Sequence, residues 1–154
     1  MRSRFSLVFL LIALVLPGCK TSSDAAGPYA NSIIILERTP CYGTCPVYKI
    51  QLEGNGIAFL ENTRFVEPLG TFKGNVAKGD LNSLFHSFAS TDWEQHEDSY
   101  DANVSDLPTV KLTWYHSGYQ KEISIRAKHP IELDVLINKV DQVKDKIAWK
   151  APEL

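Results

Sequence analysis

The apolar residues change their spacing along this 154-residue chain, and that change constrains the fold more than any other feature. From Val47 to Glu53 they alternate: Tyr48, Ile50 and Leu52 share one face, Lys49, Gln51 and Glu53 the other. Period two is the mark of a strand with one face buried. Leu81, Leu84, Phe85 and Phe88 then fall at i, i+3, i+4 and i+7, one stripe of a helix. Alternation returns in Val110, Leu112 and Trp114, and again in Tyr119, Lys121, Ile123 and Ile125. A last helical stripe runs through Leu133, Leu136, Ile137, Val140 and Ile147, with Val143 or Lys144 at its margin.

The remaining elements follow from their flanks. Ile33 to Leu36 is a continuous run of branched aliphatics, which predicts a strand buried on both faces. Thr39 to Pro46 is a turn, and Gly54-Asn55-Gly56 closes a hairpin onto a strand over 57–61. A fourth strand is expected over 65–73, with Pro68 and Gly70 placing it at an edge or bulge. Asp80 is the expected N-cap of the first helix. Residues 92–107 read as a long, acidic, solvated loop, and His116-Ser117-Gly118 as the turn of the second hairpin. Pro130 opens the last helix. The order β-β-β-β-α-β-β-α predicts an α+β fold. Its single antiparallel sheet of about six strands carries two helices on one face. One domain is expected over residues 31–150, with a core large enough to fold without disulfides.

Composition narrows the class. The chain is 44% hydrophobic and 22% charged, as globular proteins are. A net charge of -2 supplies no basic field for nucleic acid.

Residues 1–18 are an address rather than part of the fold. Arg2 and Arg4 precede an apolar run from Phe5 to Leu16, interrupted by Ser6. A bilayer-crossing helix needs about 20 residues, so the run fits the core of a secretory signal. It ends in Leu16-Pro17-Gly18-Cys19, which resembles the lipobox of bacterial lipoproteins. The resemblance implies lipidation of Cys19 and stable anchoring through several acyl chains. Lys20, where an Asp would favour the inner membrane, implies an outer-membrane location in the bacterial envelope. Small polar residues with Gly27 and Pro28 make 19–30 a flexible tether.

Cys41 and Cys45 remain, an even number in an oxidising compartment, and Gly43 lets the chain between them bend. A local disulfide is the first reading. Thiol-redox chemistry is the second, although Cys45-Pro46 runs into a strand and lacks the helix N-terminus that lowers a thiol pKa. Copper binding by the C-x3-C-P string is the third, and it needs a histidine from His86, His96, His116 or His129. No nucleophile elbow, P-loop, zinc or dinucleotide motif occurs, so no catalytic residue is assigned. No metal or cofactor is expected, copper apart. Tyr42 in the turn, Tyr115 on the polar face of its strand and Asp106 before that strand are candidates for a binding surface. The partner would be an envelope protein or glycan.

The stretch from Ile34 to Tyr48, including Arg38, Cys41-Tyr42-Gly43, Cys45-Pro46 and Tyr48, resembles the start of the domain-of-unknown-function family numbered 6438. Tyr100, Ser105-Asp106-Leu107-Pro108-Thr109, Pro130 and a helix ending near Trp149 are similar to its second block. The resemblance spans roughly residues 32–149 and implies a small bacterial envelope lipoprotein with no assigned activity.

Overall fold

The computed structural model describes residues 27–101 and 106–152. Cys19, the signal segment 1–18 and most of the expected tether lie outside the described residues. Seven strands form one sheet in the order β4-β3-β2-β1-β6-β7-β5. They are β1 (Ile33–Arg38), β2 (Val47–Glu53), β3 (Ile57–Arg64), β4 (Gly70–Asn75), β5 (Ser99–Tyr100), β6 (Val110–His116) and β7 (Tyr119–Ile125). The helices are α1 (Lys78–Ala89) and α2 (Ile131–Lys146). β1 is central: Arg38 pairs with Tyr48 of β2 on one side and Val110 of β6 on the other.

The alternation decides which face is covered. Ile34, Leu36, Ile50, Leu52, Leu112 and Ile123 are fully buried against the helical stripes. Phe85, Phe88, Trp93 and Trp114 make the aromatic centre, with ring centroids of neighbours 5.6 to 5.8 Å apart. Both helices lie on this face and touch. Lys146 reaches Asp80 at 2.7 Å, and Lys139 Nζ donates to Ser87 Oγ at 2.6 Å. The other face is open. Glu61, Lys49, Glu37 and Lys111 follow one another across it in alternating sign, an arrangement that favours neighbouring strands and water alike.

Several expectations change in detail. The sheet has seven strands rather than six, because Ser99 and Tyr100 pair in parallel with Ser124 and Ile125. A two-residue strand has no period to read. The loop around it is not wholly solvated: Trp93 and His96 are buried, and Trp93 Nε1 donates to the Phe88 carbonyl at 2.7 Å. β1 is not buried on both faces, since Ile33 and Ile35 are only half-buried on the open side. The fourth strand starts at Gly70, at the sheet edge, after a turn that contains the cis Glu67-Pro68 bond. α1 begins at Lys78, so Asp80 sits in its first turn and pairs with Lys146 instead of capping. Tyr29 packs on Phe85 and His116, so ordered contacts reach back to the end of the expected tether.

Glycine is needed where the backbone is crowded. A Cβ at Gly54 would lie 1.6 Å from the Tyr29 carbonyl oxygen, and one at Gly74 2.3 Å from Ile147 Cγ2. The second gap lets the chain after α2 lie on β4, where Lys73 and Lys150 exchange backbone hydrogen bonds of 2.9 Å.

His129 anchors the start of α2. Its Nδ1 bonds the Ala127 carbonyl at 2.6 Å and its Nε2 the Asp134 carboxylate at 2.9 Å. Burial opposes the charged ring, but the Ala127 carbonyl and Asp134 outweigh it and raise the pKa. The protonated ring is therefore held more tightly in the fold than in the unfolded chain. That stabilisation is complete below about pH 6.5 and is lost as pH rises through the folded value. Urea midpoints of wild type should fall more between about pH 6 and 8 than those of His129→Gln; parallel profiles would contradict this.

Candidate functional site

One end of the sheet gathers most of the features the sequence singled out. β1 leaves at Arg38 and β2 returns at Val47, and the turn between them is closed by a Cys41–Cys45 disulfide with the Cα atoms 5.8 Å apart. Both cysteines are half-buried, whereas Tyr42 between them is 92% exposed. The turn is clamped on its far side. Thr39 N–H donates to the Thr109 carbonyl and Thr109 N–H to Thr39 Oγ1, both at 2.9 Å. Asp106, exposed, lies in the turn that leads to Thr109 and so belongs to the same end.

Tyr115 does not join them. It pairs with Ile33, at the opposite end of β1 from Arg38. Five residues of strand separate the two positions, about 17 Å. Tyr48 and Trp114 are buried, so the expected aromatic surface reduces at this end to Tyr42.

Beneath the turn lies a group that sequence reasoning missed. Arg38 Nη2 donates to Asp141 Oδ2 at 2.6 Å and Arg38 Nε to the Tyr48 hydroxyl at 2.8 Å. The Tyr48 hydroxyl donates in turn to Asp141 Oδ1. Asp141 comes from α2, so one carboxylate ties two neighbouring strands to the last helix. Burial, with Asp141 alongside, pushes the Tyr48 phenol far above its ordinary value, against the Arg38 charge. Burial also opposes the Arg38 charge, but its Asp141 and Tyr48 partners prevail and raise its pKa. Both groups therefore stay protonated and act as donors. Lys144 lies one helical turn further along, its Nζ 5.4 Å from the Tyr48 ring centroid and paired with Asp145. One signal was present in the sequence: Leu133, Ile137, Val140 and Lys144 continue one stripe, which puts a lysine where an apolar residue is due.

The register brings in one more residue. Tyr48 pairs with Asn62 of β3, and Asn62 with Gly70 of β4. Asn62 thus extends the core-facing row past Ala58 and Leu60. The expected end of this strand at residue 61 hid it. Thr63, just beyond, is unpaired in a bulge, because Val47 pairs with Arg64.

The donor set for a metal is a separate question. Among the described residues no three His, Cys, Asp or Glu side chains gather to hold an ion, so none of the four histidines joins Cys41 and Cys45 in such a group. His116 shares a 2.7 Å hydrogen bond with Ser32, and His96 lies 3.2 Å from the Glu132 carboxylate.

Removing the Asp141 carboxylate strands a guanidinium and a phenol that are both largely withdrawn from water. Asp141→Ala should cost about 2 kcal/mol in urea unfolding, and Tyr48→Phe, which leaves the ion pair, about 1 kcal/mol. Equal costs would mean that the ion pair contributes nothing beyond the phenol.

A protein-family model, Domain of unknown function (DUF6438), matches residues 32–144. A comparison with curated proteins finds no match to the chain.

Proposed function

The chain belongs to the DUF6438 family, whose shared domain carries no assigned activity, and we propose from its own geometry that it is a lipid-anchored envelope protein that binds a partner. The contact is made by the closed turn from Cys41 to Cys45, and no catalytic step is involved. The observation that carries this is Tyr42, 92% exposed on a turn that a covalent bond closes. A large aromatic ring held in water is the side chain that interfaces use most heavily as an anchor. A turn closed in advance leaves less freedom to lose on binding. The Thr39–Thr109 clamp and the Arg38–Tyr48–Asp141 group support the turn from below. The anchor rests on Leu16-Pro17-Gly18-Cys19, and the outer membrane on Lys20. The cysteines then serve as a staple, in keeping with a pair that leads into a strand.

Two measurements test the reading in cells that export the full chain. A photoreactive phenylalanine at Tyr42 should give a discrete crosslinked adduct, absent when the same group replaces Val135 on α2. The adduct should vanish when Cys41→Ser and Cys45→Ser are added. No adduct above the Val135 control would contradict the binding role. Cys19→Ser should move the chain from the membrane pellet to the soluble fraction; retention in the pellet would contradict the lipid anchor.

A further inference from the structure

Asn62 is 6% exposed, and its Nδ2 donates to the Pro68 carbonyl at 2.9 Å. That bond fixes the amide, because the reverse orientation would set two carbonyl oxygens against each other. Its Oδ1 is buried with no hydrogen-bond partner. Buried acceptors are ordinarily satisfied, so this one calls for a donor.

Asn62 lines a cleft of about 230 Å³ between the end of β3, the 66–68 turn and the end of α2. At roughly 30 Å³ per water in the liquid, that is room for about eight waters, so one small ring fits. Phe72 and Trp149 supply aromatic wall, and the Trp149 indole is held by its hydrogen bond to the Lys144 carbonyl at 3.1 Å. Glu67 and Asp145 bring carboxylates, Lys144 an ammonium.

A ligand suited to this lining must give a proton to Asn62 Oδ1, meet acceptors and a donor together, and lay an apolar face on aromatic rings. An anion has no proton for Oδ1 and meets the Glu67 charge. A hydrocarbon leaves Oδ1 unpaired. A hydroxyl-bearing ring meets every demand, since each hydroxyl donates and accepts and its C–H faces are apolar. We propose that this cleft is a binding subsite for one neutral pyranose ring of a glycan. It is separate from the Tyr42 contact and does not depend on it.

Saturation-transfer NMR on the full chain, in a zwitterionic detergent free of sugar, tests the site. The probes are the methyl glycosides of glucose, galactose, mannose and N-acetylglucosamine. At least one should give a saturable signal with millimolar affinity, as befits a single ring. Loss of one hydrogen bond should weaken it about fivefold or more in Asn62→Leu. Circular dichroism checks that this variant folds. If it does not, Glu67→Gln, at an exposed position, decides in its place by the same criterion. Silence from all four glycosides would mean that only water satisfies Oδ1, and would overturn the proposal. A signal that survives the deciding substitution would put the sugar elsewhere, and would overturn it too. The Tyr42 crosslink reads a different residue, so either result can fail alone.

Discussion

The Asp141 carboxylate holds two strands and one helix together at a single point. Arg38 ends β1, Tyr48 lies beside it near the start of β2, and Asp141 faces both from α2. The arrangement works because both partners remain donors: the phenol is pushed up and the guanidinium keeps its charge. It sets how α2 lies over this end of the sheet. With Asp141 placed, Lys144 falls over the Tyr48 ring and beside the cleft, and Trp149 follows onto its wall. The turn above and the cleft beside it are therefore two consequences of one contact.

The disulfide has a local task. The paired strands already bring Arg38 to Tyr48, so the loop that Cys41 and Cys45 close is nearly closed without them. Loop-entropy reasoning gives such a short bridge roughly 2 kcal/mol, and less where a hairpin has formed. The core behind it is extensive, with Phe85, Phe88, Ile34, Leu36, Ile50 and Leu133 sealed from water. The bond thus matters less for whether the chain folds than for how Tyr42 is held.

The architecture was readable in the sequence wherever one face of an element is wet. β2, β6, α1 and α2 show their periods because polar and apolar positions contrast. β1 misleads because Ile33 and Ile35 keep aliphatic side chains on the open face, where a reader expects polar ones. β5 was invisible because two residues make no pattern, and its edge is held by backbone bonds from Ser124 and Arg126 to Asp98 and Tyr100. At the site, Cys41, Cys45 and Tyr42 stand out by residue type and by a turn composition. Arg38, Asp141 and Asn62 do not. Their significance lies in a meeting of residues up to 103 positions apart, which only the register and the helix placement bring about. The same register separates Tyr115 from Tyr42, though both lie on exposed positions.

The central claim is that Cys41 and Cys45 hold a binding turn in shape and do not exchange electrons. A redox titration of the full chain, read by alkylation and mass spectrometry at these two residues, tests it most directly. The account predicts a midpoint below about -300 mV, as for structural disulfides of exported proteins. A midpoint within roughly -120 to -270 mV, the range of dithiols that exchange electrons, would contradict it and make the turn a redox centre.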